Sequence, residues 1–237
     1  TRGLMFASSD AGKTWTPFPT GIKNDLFGLH FSKNGTRGIL TGANGTLRYT
    51  ADGGNTWANA QKPAGVNSIA LHAAAFNDAD TRGYVVGNNA TLLTSTNYTN
   101  WTNVTPPAGT AGAHFKAVDL QDITGYVVGT NGVILKTENC ANPAVGWKLL
   151  KADNGEPWPL FTTGANADLS DVHFPDRQTG YITGANGLIL KTTDGGAGFE
   201  ARPSLTTQTL NTLHFASPTR GFFAGNDGFW NKRQFRR

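Results

Sequence analysis

An all-β fold made of repeated antiparallel hairpins is what these 237 residues predict, and three observations lead there. One phrase recurs five times, beginning at Gly38 (GILTGANGTLRYT), Gly83 (GYVVGNNATLLTS), Gly125 (GYVVGTNGVILKT), Gly180 (GYITGANGLILKT) and Gly221 (GFFAGNDGF). Each copy joins two apolar, β-rich runs through a turn dipeptide: Asn44-Gly45, Asn89-Ala90, Asn131-Gly132, Asn186-Gly187 or Asp227-Gly228. Asn-Gly and Asp-Gly supply the positive φ angles of a type I′ turn, so each phrase reads as a β-hairpin. The composition agrees, with 30 glycines, only 15% charged residues and no long helix-forming stretch. No apolar run approaches the roughly 18 residues that a membrane-spanning helix needs.

The elements follow in order. GLMFASSDAGKTW (3–15) matches GTLRYTADGGNTW (45–57), the second half of a unit without its first half. Short strands precede each hairpin: LHF (29–31), AAF (74–76), VDL (118–120), VHF (172–174) and LHF (213–215). A turn ending in an aromatic follows four of them, at Trp57, Trp101, Trp147 and Phe199. Four strands per unit and a period in the forties predict a β-propeller, one blade per unit. Blades are expected at about 25–60, 68–104, 114–150 and 168–202. A fifth would take inner strands from 209–228 and outer strands from 3–17, so that the two ends share a blade and close the ring. The alternative is an arc of a larger ring. The whole reads as one propeller domain, 1–230, with a basic tail, 231–237.

Three turns share a tighter pattern: SSDAGKTW (8–15), TADGGNTW (50–57) and TTDGGAGF (192–199). Their residues Asp10, Trp15, Asp52, Trp57, Asp194 and Phe199 read as structural: the carboxylates accept hydrogen bonds within their own turns and the aromatic rings are buried between strands. This is the Asp-box of the bacterial neuraminidase repeat. The full unit, G-[YF]-x-x-G-x-x-G-x-[IL]-x-x-T-x-D-G-G-x-T-W, resembles the propellers of the photosystem II assembly and stability factors and their bacterial relatives, over nearly the whole chain. The resemblance implies a non-enzymatic, extracytoplasmic protein, periplasmic or lumenal, that docks on a membrane complex. That complex would be a photosynthetic reaction centre or its antenna, and the chain either an assembly factor or an extrinsic subunit. A chain beginning at Thr1 fits export after processing.

Function is expected in what the copies do not share. The residue before each strand-two glycine is a repeated position on one face of the ring, occupied by Arg37, Arg82, Thr124, Thr179 and Arg220. Arg37, Arg82 and Arg220 would form a basic arc with Arg177 nearby, suited to carboxylates or phosphates of a partner; solvated turn arginines are the plainer reading. The long connection 148–169 carries Trp158 between two prolines, an aromatic with no strand to belong to. The tail's Lys232, Arg233, Arg236 and Arg237 account for the whole net charge of +4. They suit an acidic partner or acidic lipid, while the neutral body disfavours nucleic acid.

On the first strands, the middle residues of the five triplets are His30, Ala75, Asp119, His173 and His214. Three imidazoles and a carboxylate could hold a metal if they met on the axis; histidines bonded to backbone between blades are the preferred reading. No cofactor or catalytic residue is expected. A sialidase-type glycosidase needs two carboxyls across a pocket, and only Asp119 is expected near the axis. A carbohydrate-binding propeller is the alternative function. The single cysteine, Cys140, excludes an intrachain disulfide framework.

Overall fold

The computed structural model describes residues 3–142, 145–150 and 167–228, with the backbone of 230–234. It is all-β, as the repeats predict. An N-terminal hairpin, β1 (Met5–Ala7) and β2 (Thr16–Phe18), is followed by four complete blades. These are β3–β6 (Leu26–Phe31, Gly38–Gly42, Leu47–Thr50, Ala58–Asn59) and β7–β10 (Leu71–Phe76, Gly83–Gly87, Thr91–Ser95, Thr102–Asn103). Then come β11–β14 (Phe115–Gln121, Thr124–Gly129, Ile134–Thr137, Lys148–Leu149) and β15–β18 (Leu169–His173, Gly180–Gly184, Ile189–Thr192, Glu200–Ala201). The fifth blade has three strands, β19 (Leu210–Ser217), β20 (Arg220–Gly225) and β21 (Trp230–Gln234). Each sheet is an up-and-down antiparallel meander.

The repeated turns adopt the expected geometry. Asn44 and Gly45 have φ of +52° and +62°, and Asn131 and Gly132 have +59° and +67°. Both residues of each pair occupy the left-handed region, which Asn and Gly tolerate best.

The core lies between the blades, which is why strand two is an unbroken apolar run. β4, β8 and β16 are buried along their whole length, because a blade has neighbours on both faces. Tyr84, Tyr126 and Tyr181 follow the strand-two glycines, and all are at most 1% exposed. Each hydroxyl donates to a carbonyl of the next blade at 2.8 Å: Cys140, Gly195 and Pro218 respectively. The rings of Tyr126 and Tyr181 stack on Phe174, just past β15, and on Phe215 of β19, with centroids 3.7 Å apart in both pairs. Those phenylalanines also lie flat against the glycines: a Cβ on Gly180 would come within 2.3 Å of the Phe174 ring. The phrase Gly-Tyr thus encodes the seam between blades: no side chain at one position, a hydrogen-bonding aromatic at the next.

The closing blade departs from expectation. Residues 3–17 were expected to supply its outer strands, but the third strand on β20 is β21, with Gly221 opposite Arg233. β1 and β2 pair with each other as a separate two-stranded sheet. Part of the expected tail is therefore a strand. The physical reason is proximity: β21 follows β20 through the Asp227-Gly228 turn, whereas β1 requires closure of a loop of some 200 residues, at a greater entropic cost. Trp15 is a second correction. Expected to be buried, it is 62% exposed, because among the described residues no inner strands of its own blade lie beneath it.

Candidate functional site

The three aspartate turns are engaged in holding themselves. Asp52 accepts from Thr50 Oγ1 at 2.7 Å, from the Thr56 N–H at 2.9 Å and from Thr56 Oγ1 at 2.6 Å. Asp10 repeats this pattern with Ser8 and Thr14, and Asp194 does so with Thr192 and the Gly198 N–H. Hydrogen bonds from the threonine side chains pull Asp10 and Asp52 down to a pKa of about 2, since a bonded carboxylate resists protonation. In the second blade, which lacks the aspartate, Asn97 Oδ1 accepts from the N–H groups of Thr99 (3.1 Å) and Asn100 (2.9 Å) in its place. Trp57 packs edge-on against Phe31, and Phe199 is buried. An Asp52→Ala chain is expected to melt at a lower temperature than the wild type at pH 7. A group with a depressed pKa stabilises above its unfolded value and loses that contribution as pH falls through the folded one. The gap in melting temperature should therefore close between about pH 4 and pH 2, as calorimetry would show.

The turns joining strands one and two carry the predicted arginines. Arg37 is ion-paired with Asp80 of the second blade, which also accepts from the Tyr98 hydroxyl; its guanidinium lies 4.8 Å from the centre of the Tyr98 ring. Arg177 is ion-paired with Asp122 of the third blade, and Lys33 with Asp78 at 3.0 Å. These cations bridge neighbouring blades. Arg220 is exposed. Arg82 is half-buried, and its Nε is buried without a hydrogen-bond partner among the described residues. The structure thus separates the arc into two arginines engaged with aspartates, Arg37 and Arg177, and two, Arg82 and Arg220, that make no ion pair among the described residues. Trp158, Arg236 and Arg237 lie outside the described residues. Lys232 and Arg233 lie on β21, described as backbone.

A cavity of about 370 Å³ opens on the axis at this face, lined by His30, Ala75, Asp119 and His173 among others. The triplet register holds, since each of these positions lies opposite the residue that follows a strand-two glycine. The chemistry, however, is structural. Asp119 Oδ2 accepts the Phe174 N–H at 2.7 Å and lies 3.9 Å from His173 Nδ1. His173 Nε2 lies 3.0 Å from the Phe215 carbonyl, which can only accept, so that nitrogen carries the proton and cannot ligate a metal. The His173 ring stacks on that of His214 at 4.8 Å, and His30 stacks on Phe76 at 6.0 Å. Burial pushes the Asp119 carboxyl up to about 6 and lowers the His30 pKa. Among the described residues no group of three His, Cys, Asp or Glu could hold a metal. Asp171 was missed by sequence reasoning: it makes the equivalent stitch to the fifth blade, accepting from the Leu213 N–H and Thr212 Oγ1, both at 2.9 Å.

The opposite mouth of the axis was also missed. In all five first strands the pairing slips by one residue near the start, at Phe27, His72, Lys116, Ser170 and Asn211. A bulge re-aims its extra residue, and these five side chains line a second cavity of about 400 Å³. The repeats place five different residue types at one structurally equivalent position. Nothing in a single sequence signals a register slip.

The family profile described as photosynthesis system II assembly factor YCF48 matches residues 7–105 and 150–231. The chain belongs to that family. No curated protein matches. Among solved structures, one of YCF48 bound to D1 peptide is 14% identical, with 99% of this chain and 88% of that one covered and a TM-score of 0.49. The GH74 xyloglucanase from Xanthomonas campestris is 18% identical over 99% of this chain and 41% of its own, with a TM-score of 0.73. The computationally designed Ika8 protein is 14% identical over 99% of this chain and 69% of its own, at 0.62. The last two show the shared propeller fold.

Proposed function

We propose that this member of the YCF48 family docks through the face bearing Arg82 and Arg220 on an extracytoplasmic segment of a photosystem membrane protein. There it acts without catalysis, as an assembly factor or extrinsic subunit. The family match carries this reading, and the cations Arg82 and Arg220, which make no ion pair among the described residues, suit an acidic segment of the partner. The cations of the last residues, Lys232, Arg233, Arg236 and Arg237, would add contact with acidic lipid at the membrane surface. Each acid lining the axial cavity has a partner within the fold: Asp78 and Asp80 are ion-paired, and Asp119 holds a backbone N–H.

The test is affinity capture from photosynthetic membranes with the wild type and an Arg82→Glu/Arg220→Glu chain, leaving Arg37 in its ion pair. The wild type should recover one pigment-bearing complex, and the folded double variant should bind it about ten- to a hundred-fold more weakly. Equal capture by both would refute docking through these arginines.

A further inference from the structure

The second mouth combines features that no docking role requires. Lys116 Nζ lies 3.3 Å from Nε2 of His72, which is fixed by Asn88 Oδ1 at 2.7 Å. Burial lowers the His72 pKa, so the imidazole stays neutral and Lys116 supplies the positive charge. Among the described residues no carboxylate stands within ion-pair range of Lys116. Asp168 lines the same cavity; its Oδ1 accepts the Asn131 N–H at 3.0 Å, leaving its other oxygen to act. Phe27 is 48% exposed, with its ring 5.4 Å from that of His72. The Asn211 amide donates to Asn226 at 2.8 Å, which holds it at the rim with its carbonyl oxygen to offer, and Ser170 adds a hydroxyl. One cation, one anion kept apart from it, a bare aromatic face and two neutral hydrogen-bonding groups surround a volume suited to a small molecule.

We propose that this mouth binds a small zwitterion of the amino-acid type. Its carboxylate meets Lys116, its ammonium group meets Asp168, and its apolar side chain lies on Phe27. A ligand with only one charge would leave either Lys116 or Asp168 without a counter-charge in the occupied, partly dehydrated cavity, which disfavours it. The site is independent of the docking face.

The test is titration calorimetry of the intact chain with each of the twenty common amino acids, and with benzoate as a probe that lacks the ammonium group. An apolar amino acid such as L-phenylalanine should bind saturably, with a dissociation constant on the order of 1 mM for a ligand of this size. Lys116→Met and Asp168→Asn should each weaken binding about tenfold or more, and Phe27→Ala, a change at an exposed position, should weaken it as well. Benzoate should bind at least about tenfold more weakly than L-phenylalanine. The Arg82→Glu/Arg220→Glu chain should bind the amino acid as the wild type does, which separates this site from the docking reading. Absence of saturable binding by any of the twenty, equal affinity for benzoate, or affinity unchanged in the folded Lys116, Asp168 and Phe27 variants would each overturn the proposal.

Discussion

Gly180→Ala is expected to destabilise the protein by about 3 kcal/mol, a large effect for one methyl group. The new Cβ would stand 2.3 Å from the Phe174 ring. That ring has nowhere to retreat, since it is 1% exposed and stacked on Tyr126 at 3.7 Å with an interplanar angle of 7°. Close-packed interiors accommodate added volume only by moving rings and backbone together. Gly65→Ala is the control. Its Cβ would meet nothing within 4 Å and its backbone needs no positive φ, so the change should be within about 0.5 kcal/mol. Shortening the ring in a Gly180→Ala/Phe174→Leu chain should restore part of the loss, because the two changes share one contact. Urea unfolding of the four chains measures all of this. A Gly180→Ala protein as stable as the wild type would show that the glycine is not required by the ring above it.

The second large effect is pH-dependent and works in the opposite direction. Asp119→Asn should leave stability nearly unchanged at about pH 3.5 and raise it by up to about 3 kcal/mol at pH 8. Burial lifts the Asp119 carboxyl from 3.8 to about 6, so the folded state holds the proton more tightly than the unfolded chain. That contribution is fully present below the unfolded value and is lost as pH rises through about 6. An asparagine avoids the loss, and its amide oxygen can still accept the Phe174 N–H. If the variant is instead less stable than the wild type at pH 8, the interaction of Asp119 with His173, 3.9 Å away, outweighs the cost of burying the charge. The side chain is 21% exposed, and the residual hydration makes 3 kcal/mol the upper end of the range.

The legibility of this molecule follows the range of the interactions involved. The hairpins could be read because a type I′ turn needs two adjacent residues able to take positive φ, and Asn44-Gly45 and Asn131-Gly132 declare that locally. The aspartate turns could be read for the same reason, since Asp52 bonds residues two and four positions away. The middle positions of the first-strand triplets were placed in the right register, but the sequence could not say what they touch. Asp119 and Asp171 reach the backbone of the next blade, 55 and 42 residues along. The arginines could be assigned to the connections between first and second strands. Whether each was free depended on aspartates of a neighbouring blade, and Asp80 and Asp122 had no motif to announce them.

The sequence by itself determined the blade: its four strands, its turns, and the glycine followed by an aromatic that fits it to the next blade. All of these rest on φ preferences and alternation within a few tens of residues. Only the tertiary structure decided three matters. A near strand, β21, pairs with β20 where a distant one was expected, because loop closure favours the neighbour. Arg37 and Arg177 bridge blades because packing brings Asp80 and Asp122 to them, while Arg82 and Arg220 make no ion pair among the described residues. Five unlike side chains meet around one mouth of the axis, because a one-residue slip in each first strand turns them there, and a slip in pairing is a property of two strands together.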